Sequence, residues 1–534
     1  QALGEGRIVY YVKPIQTGGA CDERDDAFVK ASSSSNPNLV VKNFATYAQP
    51  ISPHRAARLE NHVITDNAVQ EYLKTYLEDC ALQVSKKGGE EKTIFFIETA
   101  GGVASPTAQG NIQCQLYRPF RFPVIFIADF RLGGISTAIS SYELLKAHGY
   151  DISCILCLAG EHENGAYLAQ YYGKECKVFV FSNLPPRSKD THDPQGFVQS
   201  WREQNQKQTA LVISHLFHFF YQQLTRYEKI KEIALHHAWW PFTQHQTVQK
   251  PTIIDSAYLD SFQTVEVSSQ TLEGQKAFLK AQKQQCFDAS ASWWTQGVGH
   301  GHYALARASA YAAGRYGHVL FPKNIHEPAA GLIERLLATV GKDWASRVFF
   351  SDNGSTAVEV ALKMAFRKSI LLCQERFSQQ KIEHNILVLG LRDSYHGDTL
   401  GAMNASSPNA FKEEEVWYTP KGIWLGYPQV YLKDGYWQVC SRNIDDPELI
   451  SFLSQEKFCK LEDLFSDDRF ASKCAQFYKK YLSFIVNQIL QKEQQFIGAL
   501  ILEPIIQGSN GMIFVDPLYQ KILIEIAKSL QIPV

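Results

Sequence analysis

The chain has no excess of either charge: its 534 residues carry a formal net charge of −1 at pH 7, with no sustained Lys/Arg block. A nucleic-acid backbone or an anionic membrane finds no electrostatic footprint here, and neither is expected as a partner. Long apolar runs are missing too. No stretch reaches 18 apolar residues, and the nearest candidate, residues 210–224, is broken by Ser214, His215, His218, Gln222 and Gln223, so a soluble helix is expected there. Cysteine is not clustered: eleven are scattered singly apart from Cys154 and Cys157, in the apolar run Ile152-Ser153-Cys154-Ile155-Leu156-Cys157-Leu158. On a strand, positions three apart face opposite ways, so this pair cannot converge on one metal and reads as two core thiols in a reducing compartment. No Arg-rich, acid-poor leader precedes the strand-like residues 8–12, and the chain reads as starting, and at residues 529–534 ending, inside a fold.

What is present is the composition of a protein with substantial cores, 45% hydrophobic and 20% charged. At about 150 residues per domain, two large segments are the working count. Up to residue 190, strand-like runs at 8–12, 93–97, 124–128, 152–158 and 177–181 alternate with helical patterns, which predicts an α/β domain with a mainly parallel sheet. The turn-rich Asn183-Leu184-Pro185-Pro186-Arg187-Ser188-Lys189-Asp190 ends it. The organisation is thus a domain over 1–190, a helical linker over 191–235 and a second α/β domain over 236–534. In the last, helical periodicity covers 304–316, 328–339 and 356–366, and strands are expected at 348–351, 386–391 and 498–502. Residues 405–495, polar and aromatic, with Lys412-Glu413-Glu414-Glu415 and Asp467-Asp468-Arg469 interrupting any core pattern, read as a surface excursion.

Two places carry chemistry in the first segment. Tyr11-Val12-Lys13-Pro14-Ile15-Gln16-Thr17-Gly18 puts Lys13 at a strand end, where open α/β sheets bind ligands. Ile97-Glu98-Thr99-Ala100-Gly101-Gly102 ends a strand with an acid and small residues. With Asp25-Asp26 in the intervening loop, two carboxylates and a lysine suit a Mg²⁺-nucleotide site, because Mg²⁺ takes one or two carboxylates plus phosphates.

Over about residues 7–190 the motifs Lys-Pro-x-x-Thr-Gly (Lys13 to Gly18), Glu-x-Ala-Gly-Gly (Glu98 to Gly102) and Ile51-Ser52-Pro53-His54 resemble the dethiobiotin synthetases, P-loop-type nucleotide-binding enzymes. The resemblance implies that Lys13 is catalytic, that Thr17 contacts substrate, that Asp26 (with Asp25 as its neighbouring alternative) and Glu98 hold Mg²⁺ and nucleotide, and that Thr99, Ala100 and Gly101 bind nucleotide. ATP is the implied co-substrate. The family's phosphate loop, G-x-x-x-x-G-K-[ST], has no match in the chain, and Ala159-Gly160-Glu161-His162 stands where an adenine-contacting Asn-Asp is expected.

The second segment holds, in order, Trp240-Pro241-Phe242-Thr243-Gln244-His245, Ser292-Trp293-Trp294, Asp352-Asn353-Gly354-Ser355-Thr356 and Ser394-Tyr395-His396-Gly397-Asp398. Gly354 and Ser355 precede a helix, a natural seat for a phosphate. Paired tryptophans can wall an apolar substrate, and Tyr395 can stack on a flat ring. Together these motifs resemble, over about 237–534, the diaminopelargonate aminotransferase branch of the class III aminotransferases. The resemblance implies pyridoxal phosphate held by Gly354, Ser355, Tyr395 and Glu503, and substrate contacted by Phe242, Trp293, Trp294 and Tyr395. The covalently binding lysine and the aspartate that pairs with the pyridine nitrogen are expected beyond residue 534.

The implied architecture is α/β: a P-loop-type parallel-sheet domain lacking its phosphate-loop strand, fused to an incomplete class III aminotransferase large domain of the PLP-dependent transferase fold type I. The order of the segments resembles the plant mitochondrial fusion of these two activities. Consecutive steps of biotin synthesis, a homodimer and a mitochondrial matrix location are what that resemblance implies. The chain on its own is expected to be inactive in both reactions. Alternatives are a non-catalytic partner subunit, or an aminotransferase whose first segment only docks.

Overall fold

The computed structural model describes residues 7–19, 24–32, 36–86, 93–183, 194–241, 243–270, 278–374, 386–409, 412, 415–491 and 496–534. They fall into two compact units, Gln1–Asn324 and Ile325–Val534. No described helix is long and apolar enough to cross a membrane.

Among the described residues the first unit contains three sheets. Strands β1 (Ile8–Thr17), β2 (Leu39–Tyr47) and β3 (Thr93–Ile97) form a parallel sheet in the order β2-β1-β3. Strands β4 (Val124–Ala128), β5 (Ile152–Leu158) and β6 (Lys177–Phe181) form a second parallel sheet in the order β4-β5-β6. Four of the five expected strands match within their bounds. The fifth, β1, runs on to Thr17, so Lys13 lies inside a strand and not at its end. Its neighbour β3 nevertheless stops opposite Val12, which makes Lys13 the first β1 residue past that ladder. Among the described residues β3 pairs only with β1, and β4 only with β5. Cys154 and Cys157 are both buried and belong to different clusters, the first with Phe179 and Val212, the second with Phe126 and Leu168. The helix Gln206–His237 takes in the polar-interrupted run 210–224.

An antiparallel sheet follows, β7 (Ile253–Tyr258), β8 (Ser261–Gln270) and β9 (Phe278–Phe287). It was not legible from hydropathy, because polar residues crowd all three strands, as in Lys283-Gln284-Gln285. A two-residue turn at Leu259-Asp260 joins β7 to β8.

In the second unit β10 (Ile386–Leu391) is flanked by β11 (Gly422–Leu425) and, further along the chain, β15 (Phe496–Leu500), all parallel. Strands β12 (Tyr427–Lys433), β13 (Tyr436–Arg442), β14 (Lys457–Phe458), β16 (Ile506–Gln507) and β17 (Ile513–Val515) make a second sheet in the order β14-β13-β12-β17-β16. Residues 348–351 form no strand, correcting the expectation. A short apolar run becomes a strand only where a neighbour completes its ladder, and none does.

The reading of 405–495 as a surface excursion is also corrected. The largest core cluster of the chain is built there, around Tyr427, Leu449, Leu453, Tyr478, Leu482 and Val486. The helix Lys473–Gln491 buries Cys474, Ala475, Tyr478, Leu482, Val486 and Ile489, a stripe at helical spacing that the charged residues between had hidden. Arg469 itself is buried. Its guanidinium makes two hydrogen bonds to Asp516, at 2.7 and 2.8 Å, while Tyr478 donates to the same carboxylate at 2.9 Å. Asp516 also caps the helix Pro517–Ser529 through the Leu518 amide. Asp516→Ala leaves a buried cation unpaired and is expected to cost about 3–5 kcal/mol in urea unfolding; a loss below about 1 kcal/mol contradicts the account.

Candidate functional site

In the first unit the chemistry gathers on Lys13, whose residue is only 6% exposed. Its Nζ donates to Asp25, at the start of the helix Asp25–Ser32, and at 2.8 Å to Oε1 of Glu98, just past β3. Tyr11, two residues earlier and so on the same strand face, donates its hydroxyl to the other Glu98 oxygen. Burial acts to lower the Lys13 pKa, but the bonds and charges of Asp25 and Glu98 outweigh it and leave the value above the ordinary 10.5. Burial and then the Glu98 bond push the Tyr11 phenol far above its ordinary range.

Asp26 is engaged by a different cation. Arg24 holds its carboxylate with two bonds, at 2.9 and 2.8 Å. Burial acts to raise its pKa, yet the arginine prevails and keeps it below the ordinary value. The structure therefore brings Asp25, not Asp26, to Lys13 and Glu98. Tyr11 was missed by sequence reasoning, although a polar group at two-residue spacing from Lys13 was the available signal.

Tyr11, Lys13, Asp25, Glu98, Thr99 and Gly101 all line one cleft of about 1360 Å³. Its floor is made from both unpaired edges, since every residue of β3 and all of β4 but its last contribute. Ala100 packs instead against the cluster around Val12 and Tyr47, and Thr17 is not among the lining residues. Gly101 adopts φ +111°, and a Cβ there would meet Ser105 Oγ at 2.8 Å, so the turn after Glu98 needs glycine. Among the described residues no group of three or more His, Cys, Asp or Glu is placed to hold a metal ion. The pair Asp25 and Glu98 still suits Mg²⁺, which completes its shell with phosphates and water.

The second unit has its own constellation. The helix Gly354–Gln374 begins at Gly354, so Gly354 and Ser355 form its first turn. Asn353 Oδ1 accepts from the Thr356 amide at 2.9 Å, leaving the two preceding amides at the positive end of a 21-residue helix. Ser355 Oγ accepts from the Asp398 amide at 3.0 Å, and a Cβ on Gly397 (φ +136°) would lie 2.4 Å from that oxygen. Loop 394–398 is thereby drawn against the helix start. Its Tyr395 donates its amide to Glu503 at 2.8 Å and its hydroxyl to Asp398 at 2.8 Å. Burial and Asp398 push the phenol up to about 12. Glu503 also accepts from the Gly508 amide at 2.9 Å; burial raises its pKa, partly offset by these two bonds and by Lys412.

Beneath the loop the buried Lys412 ammonium donates to the carbonyls of Ser394 and Ser407 at 3.3 and 3.0 Å, and burial lowers its pKa. Burial, aided by that ammonium, drives His396 down to about 4, so its imidazole is neutral at pH 7. Gly354, Ser355, Tyr395 and Glu503 are thus brought together around one loop and one helix start, and the helix amides, the Ser355 hydroxyl and a neutral imidazole fit a phosphorylated, flat cofactor. Trp293 and Trp294 lie in the first unit and are 71% and 62% exposed. Phe242 lies outside the described residues.

These features define a two-part α/β protein. Residues 1–189 match the family model for an AAA domain and residues 270–451 that for an aminotransferase class-III domain, so an α/β segment with parallel sheets that is similar to AAA domains precedes one that is similar to class-III aminotransferases. The chain is similar over nearly its whole length to bifunctional dethiobiotin synthetase/aminotransferases. It is 37% identical over 530 residues to the bifunctional dethiobiotin synthetase/adenosylmethionine-8-amino-7-oxononanoate aminotransferase of Emericella nidulans, an alignment covering 97% of this chain and 64% of that protein. It is 39% identical to the bifunctional dethiobiotin synthetase/7,8-diamino-pelargonic acid aminotransferase, mitochondrial, of Arabidopsis thaliana, covering 97% and 61%. The corresponding protein of Oryza sativa subsp. japonica is 38% identical, covering 96% and 61%. The chain thus spans about three-fifths of the length of these curated relatives. The expectation that it is inert in both reactions gains no support from alignments over nearly its whole length.

Two measurements check the electrostatics. With Asp25→Asn and Glu98→Gln combined, burial alone acts on Lys13, and its amine-labelling midpoint is expected to fall below that of the unsubstituted chain; an unmoved midpoint contradicts the assignment. His396, with its pKa depressed from 6.5 to about 4, contributes stability that is present above pH 6.5 and fades as the pH falls toward 4. His396→Asn is expected to flatten urea midpoints over that interval, and parallel curves count against burial as the cause.

Proposed function

We propose that the chain serves two consecutive steps of biotin synthesis: transamination of 8-amino-7-oxononanoate to 7,8-diaminononanoate, then ATP-dependent carboxylation and ring closure to dethiobiotin. The observation that carries this is the meeting of Lys13, Asp25 and Glu98 at one cleft in a segment homologous to bifunctional synthetases. The synthetase-like segment is assigned to 1–190, the helical linker to 191–235 and the aminotransferase-like segment to 236–534. A homodimer in the mitochondrial matrix is part of the proposal, the latter because two plant relatives are named mitochondrial.

In the synthetase step one amine of the diamine adds CO₂ to give a carbamate, and an oxygen of the carbamate takes the γ-phosphoryl group of ATP as ADP leaves. The second amine then attacks the carbonyl carbon, phosphate departs and the cyclic urea closes with loss of a proton. Lys13, kept ionised by its two carboxylates, offsets the negative charge of the carbamate and of the transferring phosphoryl group. Asp25 and Glu98 are the carboxylates that would hold Mg²⁺, with Asp26 next in line, while Thr99 and Gly101 border the nucleotide from the cleft wall; Ala100 and Thr17, which do not line the cleft, are assigned to nucleotide and substrate by the resemblance alone.

Pyridoxal phosphate, when bound, supplies an electron sink at the amino-bearing carbon. Gly354 and Ser355 bind its phosphate through first-turn amides and the hydroxyl. Glu503 fixes the backbone of Tyr395, and Asp398 fixes its phenol, so that its ring is held ready for the cofactor. Phe242, Trp293 and Trp294 wall the apolar chain of the substrate.

The test is the rate of dethiobiotin formation from diamine, bicarbonate and ATP by the chain and by its Lys13→Ala variant. A fall of about 10²–10³-fold supports the synthetase reading, and equal rates, zero included, count against it.

A further inference from the structure

Residues 288–300 form a closed loop whose two ends are pinned to the same hairpin turn. At one end the Asp288 amide donates to Asp260 O at 2.8 Å. At the other, His300 and Leu259 exchange both backbone bonds, at 2.7 and 3.0 Å. The ends are also joined through side chains, since His300 Nε2 lies 2.8 Å from Asp288 Oδ2. The same carboxylate accepts from Ser290 Oγ at 3.0 Å and Ser292 Oγ at 2.9 Å. Both Asp288 and His300 are largely shut off from solvent, with 4% and 11% of their side chains exposed, and the His300 ring packs on Phe262 at 4.8 Å between centroids.

The loop held in this way is strained. Ala291, Ser292, Trp293 and Trp294 have φ of 45°, 47°, 56° and 67°, four consecutive left-handed residues that all carry a Cβ, closed by a bond from the Trp294 amide to Ser290 O at 3.0 Å. Such a run is unfavourable for L-residues and persists only where its surroundings over-determine it. The hairpin turn and the Asp288 carboxylate do so here. The run ends in two large aromatic side chains, Trp293 and Trp294, 71% and 62% exposed, so the strained turn fixes where their backbone stands.

We propose that Asp288 and His300 are a positioning pair that holds the left-handed turn and so sets the substrate-facing geometry of Trp293 and Trp294. Neither touches the substrate; the carboxylate gathers Ser290, Ser292 and His300, and the imidazole closes the loop. The proposal rests on the reading that the tryptophans wall the amino-keto acid, and the experiment separates the two.

Hydrogen exchange of peptides spanning 289–299 and calorimetric affinity for 8-amino-7-oxononanoate are measured on the whole chain for Asp288→Asn, His300→Phe, His300→Gln and Trp294→Ala. Asp288→Asn and His300→Phe are expected to speed exchange in the loop and to weaken binding by about tenfold. His300→Gln, which keeps a donor near the Nε2 position, is expected to restore both. Unchanged exchange, faster exchange with unchanged affinity, or failure of His300→Gln to restore either overturns the positioning pair. Unchanged affinity in Trp294→Ala overturns the substrate reading instead, leaving the exchange data to judge the clamp. Should Asp288→Asn fail to fold, the two His300 variants decide.

Discussion

A lysine ammonium buried in a protein stays ionised most readily where opposite charge is brought to it, and the first unit is organised around meeting that requirement at Lys13. The cation sits on β1, one carboxylate comes from the helix Asp25–Ser32 and the other from the end of β3. Because β3 ends opposite Val12, Glu98 is released from the sheet at the level where Lys13 begins to need it. The turn that follows Glu98 needs a glycine at Gly101, whose φ is +111°. One electrostatic demand thus ties strand length, helix start and turn chemistry together, and the cleft inherits its charged mouth from it.

The second unit answers one buried charge in the same way and two others with backbone groups. Arg469 and Asp516 join a segment rich in charge to the helix Pro517–Ser529, and the pair is embedded with Tyr478 in the main core. Glu503 is aimed not at a cation but at two amides, of Tyr395 and Gly508, which sets the backbone of the loop beside the helix start at Gly354. Lys412 satisfies its ammonium with carbonyls of Ser394 and Ser407, and its charge adds to the burial that keeps His396 uncharged. The candidate cofactor seat is thus shaped by groups that need not touch a cofactor at all. The Asp288–His300 clamp of the first unit has the same character.

Parallel strands carrying continuous apolar runs were legible in the amino-acid order, since burial on both faces leaves them no other composition; β3, β4, β5 and β6 match within their bounds. The motifs around Lys13, Glu98, Gly354 and Tyr395 were legible too, because each compresses a strand end or a helix start into a few residues. Local order alone had settled that Cys154 and Cys157 face apart and that a helix begins beside Gly354 and Ser355, two residues later than the structure starts it. It could not settle which of two adjacent aspartates meets Lys13, because the choice lies with Arg24 and with a glutamate more than 80 residues away. Nor could it show that residues 405–495 hold a core, since the partners of that helical stripe lie on distant strands. The left-handed turn at 291–294 was equally invisible, as no local preference favours it. Period and composition act between neighbours in sequence and are written there; charge compensation and strain are satisfied between neighbours in space, and only the folded chain decides who those are.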